Sequence, residues 1–139
     1  MKRLSRQGKI HSDLWEICWC LFPVDDTDVK FSSYSGGVFV ELEGLVDTGA
    51  TFTKIPGWAA SKIGLQARYA AEVMLGDGRT VTRGLAYGEV EIEGIRRLVP
   101  VAIGGDEEMP VIGYTALEIL GFKVNPVTGK LERTPAIEL

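Results

Sequence analysis

From residue 38 onward the chain alternates. Val38, Val40 and Leu42 fall on one side of a period of two, and Phe39, Glu41 and Glu43 on the other, before Gly44-Leu45-Val46 leads into Asp47. This is the pattern of a half-buried strand. Pro56 to Ile63 reads as a short helix, with proline in the first turn and Gly64 as its stop. Ala71 to Leu75, the tight turn Gly76-Asp77-Gly78 and a return strand Arg79 to Thr82 predict a hairpin. Glu89 to Glu93, a turn at Gly94 and Leu98 to Ile103 predict another, with Pro100 marking a bulge or an edge. Glu89, Glu91 and Glu93 share one face of their strand and read as a solvated surface. Thr115-Ala116-Leu117-Glu118 has the form of a capping box for a helix that Ile119-Leu120 continue and Gly121 ends. Phe122-Lys123-Val124 and Lys130-Leu131-Glu132 flank the turn Asn125 to Gly129 and close the pattern with a third hairpin. The expectation is a mainly β domain over residues 37–139 with two short helices and no internal repeat.

Residues 1–36 depart from this rhythm and are expected to form an N-terminal extension of open role. A basic start is followed by the apolar cluster Leu14 to Phe22, which carries two of the three tryptophans and needs cover from the domain or from another subunit. The run Leu14 to Val24 is broken by Glu16 and is shorter than the roughly 20 apolar residues that span a bilayer. No small-residue cleavage pattern follows it, so neither a membrane span nor an export signal is expected. Asp25-Asp26-Thr27-Asp28 lacks the ordered ligand spacing of a calcium loop and reads as a solvated turn.

Composition narrows the picture. A chain of 139 residues fits one domain, and 45% hydrophobic with 24% charged residues is the balance of a globular protein. A net charge of −4 turns away from nucleic acid as the main partner, and Arg96-Arg97 reads as a plain strand edge. Cys18 and Cys20 would share a strand face with Cα atoms too far apart for an unstrained bridge. So sparse a pair points to a reducing cytoplasm. The single histidine, His11, makes no zinc site with these cysteines at any usual spacing. Neither a metal nor a cofactor is expected.

The candidate chemistry sits in Val46-Asp47-Thr48-Gly49-Ala50-Thr51. An acid in a glycine-containing turn at the end of an apolar strand is either a turn residue capping that strand or a reactive group. Two carboxyl groups about 3 Å apart cannot both ionise, so they share a proton and can act as base and acid in amide hydrolysis. Gly49 supplies backbone freedom and room for substrate, and Thr48 can lock the loop by hydrogen bonding.

The order of parts resembles the retropepsin-like aspartic protease family, single-lobe relatives of viral proteases and of half a pepsin, over about residues 37–133. It consists of an apolar strand into Asp47-Thr48-Gly49, a short helix, a Gly-rich hairpin and then Val111-Ile112-Gly113-Tyr114 entering a helix. The segment Leu117 to Phe122, Asn125-Pro126 and Gly129-Lys130-Leu131 is similar to microbial members of the group. The resemblance implies an acid-protease barrel with Asp47 as the catalytic residue. It also implies that Thr48 interlocks two active-site loops and that Gly49 binds substrate, with Ala50 completing the loop. Leu75-Gly76-Asp77-Gly78-Arg79 falls where the family has its flap, although position alone separates a flap from an ordinary hairpin. Val111-Ile112-Gly113 matches the segment that supports the active-site loop. The chain departs from viral members in carrying Thr51 and Phe52 where they have further acids, so substrate preference does not transfer.

The triplet occurs once, and the chain is short for two lobes. Catalysis on this plan therefore implies a symmetric homodimer, with Asp47 of each subunit at the two-fold axis and a polypeptide as substrate. Two other classes stay open. One is a silent dimeric scaffold or peptide-binding domain on the same fold, and the other is a regulatory or membrane-associated protease whose apolar N-terminus docks elsewhere. Tyr114 is expected at the core or rim rather than in a cleft, and Trp58 in packing.

Overall fold

The computed structural model describes residues 27–33 and 38–138. The apolar cluster Leu14 to Phe22, Cys18, Cys20 and His11 lie outside the described residues. Nine strands and two short helices follow one another: β1 (Thr27–Ser33), β2 (Phe39–Asp47), β3 (Thr53–Pro56), α1 (Gly57–Lys62), β4 (Tyr69–Met74), β5 (Thr80–Ile92), β6 (Ile95–Gly104), β7 (Val111–Gly113), α2 (Tyr114–Leu120), β8 (Phe122–Val124) and β9 (Leu131–Arg133). Among the described residues the mainly β reading with two helices holds.

Six strands close on themselves. The sheet runs β1-β2-β7-β3-β6-β5 and returns to β1 through a β1–β5 pairing, with β4 attached outside this ring to β5 alone. Alternation along each strand puts Val29 and Phe31, Val40 and Leu42, Val90 and Ile92, and Val99 and Val101 into a shared interior, where all are essentially inaccessible to water. Each such side chain contributes about 1.5–3 kcal/mol on burial. The exposed pairs Lys30–Glu91 and Arg96–Glu91 contribute at most about 1 kcal/mol each, so the core rather than surface charge holds the barrel.

Several elements differ from the pattern-based expectation. The sheet takes in residues 27–33, N-terminal to the boundary expected at residue 37, and Asp28 stands in β1 rather than in an acidic turn. Arg79–Thr82 and Glu89–Glu93 are largely parts of one strand, since β5 runs unbroken for 13 residues. It pairs with β4 over Thr80–Leu85 and with β1 over Gly88–Glu91. Gly88 makes the change of neighbour possible. A Cβ there would lie 3.1 Å from the Ser32 carbonyl oxygen and 3.3 Å from Leu65. Glu93 leaves the strand for a turn, at φ 51°. Glu91 is only part-exposed and pairs with Lys30 and Arg96. Pro100 sits where β6 has β5 on one side, just before its pairing with β3 begins at Val101, so it is tolerated as an edge residue is.

The capping box does not form. The second helix starts at Tyr114 with Gly113 as its N-cap, and no side chain caps it. Its first N–H groups have other acceptors, because Tyr114 N–H donates to the Ala50 carbonyl at 2.7 Å and Thr115 N–H to the Thr51 carbonyl at 3.3 Å. Glu118 instead accepts a bond from the Tyr114 hydroxyl at 2.7 Å. Trp58 packs against the core as expected. Among the described residues, no helix is long and apolar enough to cross a membrane.

Candidate active site

The loop after β2 is held from below by β7. Strand β7 lies between β2 and β3, parallel to β2 with Asp47 opposite Gly113, and meets β3 where Lys54 faces Val111. Residues 48–52 therefore have to arch over the end of β7. Gly113 is the point of contact. A Cβ there would stand 2.6 Å from the Phe52 carbonyl carbon and oxygen and 2.8 Å from the Ala50 oxygen. Gly113 N–H donates to the hydroxyl of Thr53, itself fully buried, at 3.0 Å. With the two bonds from the start of α2, this fixes the loop at its middle and at its exit into β3.

On that loop the Asp47 side chain is nearly buried, at 9% exposure. Its Oδ1 accepts the Gly49 N–H at 2.9 Å, and its carbonyl accepts the Ala50 N–H at 3.1 Å. The bond from Gly49 thus holds the carboxylate from within the triplet.

Asp47 opens on a cleft of about 520 Å³. Gly49 and Ala50 line it beside the acid, Leu75 and Gly76 of the β4–β5 hairpin line its far wall, and Val111 contributes from β7. Ala71, Val73 and Val81 are half-buried while Glu72, Met74, Thr80 and Thr82 are exposed, so the hairpin turns its apolar side inward. The remaining expected site residues stand elsewhere. Asp77, Gly78 and Arg79 form the hairpin tip, where Arg79 N–H and Nε donate to the Asp77 carboxylate at 3.0 and 2.7 Å and hold its pKa below the ordinary value. Ile112 and Gly113 are buried under the loop. Thr48 faces a second, larger groove of about 680 Å³ that runs along α2 past Leu117 and Ile119, and the exposed Tyr114 lies there too rather than beside Asp47. The larger groove is away from the acid, so the smaller cleft is the candidate site.

Sequence reading does not pick out Lys54, Arg83 and Ala102, which also line the cleft. Lys54 and Arg83 belong to an ion cluster around Glu108. Burial alone would raise the Glu108 carboxyl, but N–H groups of Gly105, Lys54 and Arg83 outweigh it and hold the pKa at about 2, down from 4.5. A lowered carboxyl stabilises the fold above its unfolded pKa, and that stability is lost as pH falls toward the folded value. Wild type should therefore exceed Glu108→Gln by about 1–2 kcal/mol near neutrality, solvent screening at this part-exposed site allowed for. The gap should shrink between about pH 4.5 and about pH 2, read by urea unfolding at fixed protein concentration.

A family model described as aspartyl protease matches residues 31–124, more than half of the 139-residue chain. No curated protein matches the chain.

Proposed function

The chain belongs to the retropepsin-like aspartyl protease family, and on that premise we propose that it is a homodimeric aspartic endopeptidase in which Asp47 is the catalytic residue. The observation that carries this reading is the nearly buried Asp47 carboxylate, held by its own turn at a cleft that an inward-apolar hairpin roofs.

One chain offers one such acid, so the second comes from a second copy. Two Asp47 carboxyls facing each other across the two-fold axis hold one proton between them. The ionised member takes a proton from a water, whose oxygen attacks the peptide carbonyl carbon. The protonated member donates to the carbonyl oxygen. Collapse of the tetrahedral adduct breaks the C–N bond, with a proton passing to the leaving nitrogen, to give a carboxylic acid and an amine. Thr48, turned away from the cleft, is then the loop residue that meets its copy. The β4–β5 hairpin is the flap, with Leu75 and Gly76 nearest the peptide.

Cleavage of an unfolded protein substrate should rise from neutral to mildly acidic pH and stop on addition of a general aspartic-protease inhibitor. Sedimentation in the same buffers should show dimers wherever activity is found. Hydrolysis by a monomer, or hydrolysis that such an inhibitor leaves untouched, sinks the reading. Peptide binding without hydrolysis at any pH would instead support the silent peptide-binding alternative.

A further inference from the structure

One wall of the cleft carries charge that the proposed chemistry does not use. Lys54 on β3 and Arg83 on β5 both line the cleft, and both converge on Glu108 from the β6–β7 connection. Lys54 Nζ donates to Glu108 Oε1 at 3.0 Å, while Arg83 Nη1 and Nη2 donate to Oε2 and Oε1 at 2.7 Å each. Gly105 N–H adds a fourth bond, to Oε2 at 2.6 Å.

Two cations on one carboxylate leave the cluster with net positive charge. The need to pin the 105–108 turn accounts for Glu108 and for one cation, since a bidentate arginine already satisfies a carboxylate. It does not account for the second. Lys54 spends one donor and Arg83 two on Glu108, which leaves donors on both for a further acceptor. The side chains are 23% and 17% exposed, so the charge is partly desolvated, and their neighbours in the cleft include the apolar Phe52, Ala102 and Val111. Glu72 also lines the cleft, from the exposed side of β4 that it shares with Met74, and is more open to water than Lys54 or Arg83.

We propose that Lys54 and Arg83, held in place by Glu108, form a subsite for an acidic side chain of the peptide close to the bond presented to Asp47. This rests on the protease reading and names the substrate class it favours.

The test uses a position-scanning peptide library in which Asp and Glu are compared with Asn and Gln. It is made with amidated and with free C-termini, and read both as cleavage by the wild type and as binding to Asp47→Asn. At one position the acid should be preferred over its amide by roughly tenfold, as for a charge-assisted bond at a part-desolvated site. Lys54→Gln, which keeps the Arg83–Glu108 pair, should bring that preference close to parity, and Glu108→Gln should enlarge it. These opposite shifts are not what general damage to the fold produces. No acid preference in the amidated library, or a preference that both variants leave unchanged, overturns the proposal. So does a preference confined to free C-termini, or an absence of both cleavage and binding. Acid-selective binding without cleavage by the wild type would instead leave the subsite standing and remove the protease reading.

Discussion

Asp47→Asn is expected to leave the fold and the dimer in place while lowering peptide hydrolysis by roughly 10⁴-fold or more. A positioned acid or base contributes roughly 10²–10⁴-fold, and the substitution removes both members of a symmetric pair at once. The structural change is small by design. The amide keeps an oxygen that can accept the Gly49 N–H, now bonded to Oδ1 at 2.9 Å, so the turn has no reason to open. What is lost is the ability to take a proton from water. Mixing experiments make the result sharper. If each site needs two aspartates, an equal mixture of wild-type and variant subunits, allowed to exchange, should retain about one quarter of the wild-type rate on random pairing. About one half would mean that each Asp47 works alone. Unchanged hydrolysis by the pure variant would falsify the assignment outright.

Gly113→Ala should also lower activity, though by less, while leaving every candidate reactive group untouched. The added methyl would meet backbone, the Phe52 carbonyl at 2.6 Å and the Ala50 oxygen at 2.8 Å, rather than the movable end of a side chain. Relief requires the 48–52 loop to lift off β7 or β7 to shift between β2 and β3. Overpacking of this kind costs about 1–3 kcal/mol. The bonds from Tyr114 and Thr115 to the loop carbonyls, and from Gly113 to Thr53, stretch with it. Displacing a reacting group by about 1 Å can cost roughly 10²-fold. The variant should therefore show a lowered melting temperature with kcat reduced roughly a hundredfold. A variant as stable and active as wild type would mean that Gly113 does not support the loop.

How much of this was legible in the sequence depended on the distance over which each feature is written. The Asp47 turn is local, because a carboxylate, its Gly49 donor and the preceding apolar strand lie within a few residues. The hairpin tip and the left-handed stop at Gly121 are local too. Strand β5 was not, since glycines at 84 and 88 break the alternation that would join its halves, and their purpose lies in the chain that passes beside them. Thr115 and Glu118 have the spacing of a cap, yet the helix begins one residue before Thr115, at Tyr114, and the Thr115 N–H that Glu118 would accept is taken by the Thr51 carbonyl, more than 60 residues earlier. The charged wall of the cleft was the least legible part. Lys54 and Arg83 look like isolated surface cations until Glu108, 54 and 25 residues away, brings them together.

The closed ring of six strands leaves β4 out, since β4 pairs with β5 alone. The roof of the cleft is therefore an appendage to a barrel that is complete without it. Substitutions along β4 change the wall of the cleft without entering the interior that keeps the chain folded. If the chain is the protease proposed above, the range of peptides accepted can be altered through β4 while the framework under Asp47 is left as it is.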